Sequence, residues 1–191
     1  EGQILVVEGL KTHFFTKAGI VKAVDGVSFS IAPGKILGLV GESGSGKSVT
    51  GRAILRLLPP YAEVAAESIA FKGQELLQCS EKEMRQIRGM EISMVMQDPK
   101  YSLNPVRTVG EQIREAYNIH RSVAKKEARQ RTLEMLAAVR IRNPEQVYHL
   151  YPHEVSGGMG QRIMIAMMLI PEPSLLIADE PTTALDVTVQ L

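Results

Sequence analysis

One octapeptide constrains this chain more than any other feature. Gly41-Glu42-Ser43-Gly44-Ser45-Gly46-Lys47-Ser48 follows the apolar run Ile36-Leu37-Gly38-Leu39-Val40 and precedes a helix-compatible segment, 49–58. The pattern G-x-x-x-x-G-K-[ST] in that setting predicts a short strand, a glycine-rich turn and a helix. Glycines let the backbone bend close to a phosphate chain, so that several N–H groups, from Gly41 to Val49, point at one anion. The helix start adds its positive dipole end. Lys47 can then reach the β- and γ-phosphates of a nucleotide, and the Ser48 hydroxyl can ligate Mg²⁺. The bland alternative, a flexible Gly/Ser turn, does not require strand, turn and helix to coincide.

Bulk properties narrow the function classes. The chain has 191 residues, enough for one good core with a subdomain. It is 45% hydrophobic and 23% charged with a formal net charge of +1, which argues against nucleic-acid binding driven by overall charge. The most apolar stretch, 163–170, is far shorter than the roughly 20 residues that span a bilayer. No charged-then-apolar leader is visible, so no secretion signal is expected. Cys79 is the single cysteine and cannot form an internal disulfide; its polar neighbours give no sign of a reactive thiol, and a cytosolic compartment fits. The chain opens on Glu1 and stops at Leu191 within a helix-like stretch, so a fragment is expected.

Along the chain, 3–15 and 22–31 hold alternating and β-branched residues split by the turn-like Lys17-Ala18-Gly19. Ala32-Pro33-Gly34 is a tight turn, and Pro59-Pro60 is expected to stop the helix after the phosphate loop. A short strand is predicted at 68–71, a helix at 80–88 opened by the capping box Ser80-x-x-Glu83, and a buried strand at 91–96. The pattern is helical over 109–139, with Val109, Ile113 and Tyr117 on one face and Leu133, Leu136 and Ala137 on another. Lys125, Lys126, Arg129 and Arg131 with Glu127 and Glu134 read as a solvated face. A second apolar helix covers 157–170, its Met159, Met164, Met167 and Met168 serving as core. A short, fully apolar strand at 174–178 is expected to be buried. The fold class is α/β: a phosphate-loop nucleotide-binding core with an N-terminal antiparallel β-subdomain, both within 1–98 and 155–191, and an inserted helical subdomain at 99–154.

Two further motifs complete the constellation. Leu175-Leu176-Ile177-Ala178-Asp179-Glu180 places two carboxylates where a strand emerges. Asp179 is positioned to hold Mg²⁺ through water, and Glu180 to orient or deprotonate an attacking water. Val155-Ser156-Gly157-Gly158-Met159-Gly160-Gln161 opens a helix with a serine and two glycines. Alone it is equally a helix cap with a loose turn.

Taken together, these motifs resemble the nucleotide-binding subunit of an ABC transporter, over essentially the whole chain. The order is that of the family: phosphate loop at 41–48, a lone Gln97, the signature Ser156-Gly157-Gly158, the acidic strand, then Ala184-Leu185-Asp186. Gln97-Asp98-Pro99, Ser102-Leu103-Asn104-Pro105, Ser156-Gly157-Gly158-Met159 and 178–190 are similar to the dipeptide, oligopeptide and nickel importer group. The resemblance implies an ATPase with ATP and Mg²⁺ as cofactors, working on the cytoplasmic face of the inner membrane as a peripheral subunit. It implies membrane permease subunits as partners, an indirect substrate-binding protein, no nucleic acid, and a second ATP-binding subunit packed head to tail as a homo- or heterodimer. Ser156, Gly157 and Gly158 would contact the γ-phosphate of the partner's ATP. Gln97 would sense that phosphate and the metal, Asp186 would bridge the dimer, and Phe14, with Phe15 as runner-up, would stack on adenine unless either is core.

Two departures carry expectations of their own. Gly160 stands where the subgroup usually has arginine, which predicts weaker signature engagement. The family's switch histidine has no counterpart before Leu191; His149 and His153 read as surface or packing residues. A non-transport ABC module acting on nucleic acid or ribosomes is the rival reading, and neither charge nor an aromatic series supports it. A third is a polypeptide that binds ATP with little turnover. Cargo, peptide or nickel, is not written in these residues.

Overall fold

The computed structural model describes residues 2–96, 103–119, 121 and 123–179. They form two units, Glu1–Arg85 and Gln86–Leu191.

The N-terminal unit is built around one long strand. β1 (Leu5–Thr16) pairs antiparallel with β2 (Gly19–Ile31) along its length. On its other edge β4 (Ser68–Phe71) pairs with the first half of β1, and β3 (Ala62–Ala65) with the second. β5 (Gln74–Glu75) extends β4 through a turn in which Lys72 and Gly73 both have positive φ, the geometry that matches strand twist in a tight hairpin. Leu5, Val7, Leu10 and Thr12 are buried. Val7 and Leu10 are three apart, so strict alternation would turn one outward. The register shifts between them, and Gly9 at φ 60° absorbs the extra residue while its N–H donates to Ser28 Oγ at 2.9 Å. At the far end of this unit, the expected capping box is present: Ser80 N–H donates to Glu83 Oε2 at 2.7 Å and Glu83 N–H to Ser80 Oγ at 3.3 Å. It opens α2 (Glu81–Ile87) over the fully buried Met84.

Two expectations fail in this unit. The apolar run 36–40 forms no strand: Ile36 is 99% and Val40 97% exposed. A strand takes its main-chain hydrogen bonds from neighbours, and no strand of this unit flanks the segment. The helix after the phosphate loop, α1 (Lys47–Ile54), ends well before Pro59-Pro60. Arg56 at φ 53° closes it. Leu57 N–H donates to Arg52 O at 2.9 Å and Arg56 N–H to Ala53 O at 3.0 Å, the paired bonds of a left-handed helix terminus. The Arg56 guanidinium then donates to Cys79 O at 2.5 Å. β3 was not foreseen; Ala-Glu-Val-Ala offers too short an alternation to announce itself.

The C-terminal unit is mostly helical. The predicted helical stretch is two helices, α3 (Val109–Asn118) and α4 (Lys125–Ala138). A capping box between Thr108 and Glu111 opens α3, and Val109, Ile113 and Tyr117 are buried as the spacing predicts. On α4 the buried face is Ala128, Thr132 and Leu136; Ala137 is exposed, because it lies one residue, about 100°, off that stripe. α5 (Pro144–Tyr148) follows Asn143 with Pro at its start. Gly110 lets α3 lie against Tyr148, whose ring would be 2.3 Å from an added Cβ. α6 (Gly157–Leu169) packs Ile163 and Ala166 into the same core; Met164 is fully buried, and Met159 and Met167 pack against that core as expected.

β6 (Ile92–Val95) is buried throughout and pairs parallel with β7 (Leu175–Ala178), Ile92 opposite Leu175 and Val95 opposite Ala178. Contrary to expectation β7 is not fully buried. Its residues alternate, and Leu176 is 40% exposed. A parallel strand is buried on both faces only where both are covered, and here that holds for β6 and not for β7.

Candidate functional site

The phosphate loop owes its shape to backbone rather than side chains. Gly44 and Gly46 have φ of 82° and 92°, a left-handed conformation that other residues adopt only with strain. Gly46 is also held against β2: an added Cβ would lie 2.3 Å from Ala23 O and 3.2 Å from Val24 Cγ2. Ser45 N–H donates to Glu42 O at 3.2 Å, closing the turn. Gly46 is the N-cap of α1 and provides no side-chain cap, so the first-turn N–H groups keep their orientation toward the loop. Thr50 anchors that turn from behind through two bonds to Gly46 O, 2.8 Å from N–H and 3.0 Å from Oγ1.

Lys47 folds back over the loop, Nζ donating to Gly41 O and Glu42 O at 2.8 Å each. The ammonium therefore spans the concave side of the turn, where a phosphate chain would exchange these two carbonyls for its own oxygens. Gly44 adds no side chain there, and an added Cβ would meet open space, while at Gly41 it would meet Ser45 Oγ at 2.5 Å. The residues present fit a bound phosphate chain. Ser48 stands in the first turn of α1, beside Lys47.

β1 and β2 separate the two aromatic candidates. Cross-strand partners share a face of a sheet, as do residues two apart. Thr12 lies opposite Val24 and Phe14 opposite Val21, so Phe14 shares the face of Val24, on which Gly46 rests. Phe15, opposite Ile20, points to the other face and is 43% exposed. Ala23 falls at the register shift between Thr12 and His13. Its role as the loop's backstop was not foreseen, and a bulge in β2 has no signal in the sequence.

In the C-terminal unit Ser156 is the N-cap of α6, its Oγ accepting Met159 N–H at 3.3 Å. Ser156 and Gly157 are exposed, and an added Cβ at Gly157 meets nothing within 4 Å. Gly160 is buried in the first turn of α6, its N–H donating to Ser156 O at 2.8 Å. Asp179 follows β7 and is buried, its N–H donating to Val95 O at 3.0 Å, so the acid is set at the end of the parallel pair as its position predicts. Gln97, Glu180 and Asp186 lie outside the described residues. Among the described residues no helix is long and apolar enough to cross a membrane.

Comparison with known proteins places these features in context. Residues 24–183 match the family described as ABC transporter. The chain is 54% identical over 188 residues to a probable peptide ABC transporter ATP-binding protein, y4tR, of Sinorhizobium fredii, covering 98% of this chain and 56% of that protein. It is 53% identical over 189 residues to the dipeptide transport ATP-binding protein DppD of Bacillus subtilis, again 98% and 56%. The chain thus spans just over half the length of these curated relatives. Among solved structures, the dimeric bacterial ABC transporter cassette MJ0796 matches with a TM-score of 0.87 at 26% identity, over 97% of this chain and 78% of that one. The dimeric post-hydrolysis state of MJ0796, bound to ADP and Pi, matches with a TM-score of 0.83 at 27% identity, over 97% and 77%.

Proposed function

The chain belongs to the ABC transporter family and has the fold of its ATP-binding cassettes, and we propose that it is the ATP-binding and hydrolysing subunit of a peptide importer. The observation that carries this reading is the phosphate loop: a helix start without a side-chain cap, a left-handed Gly46 pressed on a strand, and Lys47 bridging the concave side. Peptide cargo, rather than nickel, is favoured by the names of the relatives at 54% and 53% identity.

In this reading 41–49 hold the triphosphate of ATP, and Lys47 leaves the Gly41 and Glu42 carbonyls for the β- and γ-phosphates. Mg²⁺, when bound, neutralises charge on the phosphates. Ser48, Asp179 and Gln97 are the residues that would hold it. Among the described residues no three of His, Cys, Asp and Glu gather as a metal cluster. That suits an ion that keeps several waters and rests on phosphate plus one or two protein ligands. Glu180 orients or deprotonates the attacking water. Phe14 stacks on adenine from the face of the sheet on which the loop rests.

Ser156, Gly157 and Gly158 present an exposed helix start to the γ-phosphate held by a second ATP-binding subunit, packed head to tail, with Asp186 at the shared interface. The likeness to dimeric MJ0796 supports that arrangement. The proposed assembly sits peripherally on the cytoplasmic side of permease subunits, with a substrate-binding protein supplying cargo from the other side. Within it, 1–98 and 155–191 form the nucleotide core with the β-subdomain, and 99–154 the helical subdomain. Gly160 withholds a side chain beside the signature, so this chain engages its partner's nucleotide weakly.

A site completed in trans makes a direct test. Steady-state phosphate release is measured for the chain alone and with its partner ATP-binding subunit. Release that rises at least tenfold on adding the partner is the expected result. Equal release per site with and without the partner overturns the proposal.

A further inference from the structure

Tyr61 lies next to the base-stacking candidate without being buried by it. The turn at Pro59-Pro60 closes through Ala62 N–H donating to Pro59 O at 2.9 Å, and Tyr61 O accepts Phe15 N–H at 3.0 Å. β3 then pairs Ala62 with Phe14. These main-chain bonds fix Tyr61 across from Phe15 and diagonal to Phe14, whatever its side chain is. The ring turns back toward β1: its centroid is 6.0 Å from that of Phe14, and the planes meet at 53°.

A side chain held for core packing would lose its contact with water, yet Tyr61 is 57% exposed, while Phe14 is half-buried. The pair is therefore a corner, with Phe14 as one wall and Tyr61 as the other, and both rings keep wetted surface. Phe14 stands on the face of the sheet that supports the phosphate loop, because Phe14 and Val21 share that face with Val24, against which Gly46 lies, and the Tyr61 ring reaches it from the sheet edge. Val21 and Val24 are three residues apart, about 7–10 Å along the strand. That is the reach of a ribose and its first phosphates.

We infer that Tyr61 is the second wall of a base-binding corner whose floor is Phe14, and that this corner selects a purine nucleoside triphosphate over a pyrimidine one. The inference rests on the proposed nucleotide site at 41–48. A two-ring base can lie on Phe14 and still meet Tyr61 at its edge, whereas a single ring cannot reach both walls. The ring supplies the contact and the hydroxyl is dispensable, which distinguishes this role from hydrogen-bond readout.

Competition binding with ATP, CTP and inorganic tripolyphosphate tests the corner on the whole 191-residue chain. The variants are Tyr61→Ala, Tyr61→Phe, Phe14→Ala and Lys47→Ala, each checked by circular dichroism. Tyr61→Ala is expected to weaken ATP about 3- to 10-fold, to leave tripolyphosphate unchanged and to bring the ATP-to-CTP ratio toward one. Tyr61→Phe is expected to stay within about twofold of wild type. If Phe14→Ala loses ATP affinity while Tyr61→Ala retains it and its preference over CTP, Tyr61 is packing only and the inference falls. If Lys47→Ala leaves tripolyphosphate binding intact, the nucleotide site itself is misplaced, a separate failure that removes the inference with it.

Discussion

The chain opens two helices from glycine-rich turns, one in each unit, and they are built differently. At α1 the N-cap is Gly46, which supplies no side chain, sits at φ 92° and is pressed on Ala23 O. At α6 the N-cap is Ser156, whose hydroxyl already accepts Met159 N–H, and Gly157 faces open space. The first turn has no side-chain cap and has its N-cap glycine pressed on β2. The second is satisfied by its own serine and free to be approached from outside. Glycine content is therefore a poor guide to what such a turn does. What decides is whether glycine is required by packing and φ, or only permits close approach.

Substitutions at the two turns sharpen that contrast. The largest effect is expected at Gly46→Ala, where a left-handed φ and a 2.3 Å approach to main-chain oxygen combine. Together they cost about 3 kcal/mol in urea unfolding, with nucleotide affinity falling at least tenfold. Full ATP binding by that variant would mean the loop does not depend on its strand. Ser156→Ala removes a cap and is expected to cost about 1 kcal/mol, read as lower protection of the Met159 amide in hydrogen exchange; no change would mean the hydroxyl is not engaged.

Smaller effects are expected from pH, and they separate helices opened by a carboxylate from those opened by neutral residues. The Ser80 hydroxyl and N–H hold Glu83 below the usual carboxylate range, and the Thr108 N–H, despite opposing desolvation, holds Glu111 there too. A carboxylate lowered in the folded state stabilises above its unfolded pKa of about 4.3. That contribution disappears as pH falls through the lower folded value. Protection at the first turns of α2 and α3 is thus expected to drop as pH falls below about 4.3, while α1 and α6, opened by neutral residues, hold theirs. A uniform loss across all four helices would contradict this. Least of all is expected from Gly157→Ala, within about 0.5 kcal/mol of wild type, since nothing stands within 4 Å of the new Cβ.

Much of this was legible in the sequence, for local reasons. The capping box at Ser80, the hairpin of β1 and β2, and the 109-113-117 stripe are all written in near neighbours. What escaped depended on partners distant in sequence or on one residue's φ. Arg56 ends α1 ahead of the two prolines, and Ala137 turns outward because the buried stripe of α4 is centred on Ala128, Thr132 and Leu136. β7 proved half-exposed although all four residues are apolar, because apolar sequence does not say how many faces are covered. For the site, Lys47 and the loop glycines announce themselves by pattern, whereas Ala23 and Tyr61 are generic residues whose meaning comes only from what folds beside them.

The central claim is that the loop at 41–48 is a nucleotide phosphate cradle closed by Lys47. Isothermal titration of wild type and Lys47→Ala with ATP, with and without Mg²⁺, tests it most directly. Magnesium-dependent binding that weakens at least tenfold in Lys47→Ala is the predicted result. Equal affinity in the two proteins, or no binding by wild type, would contradict it.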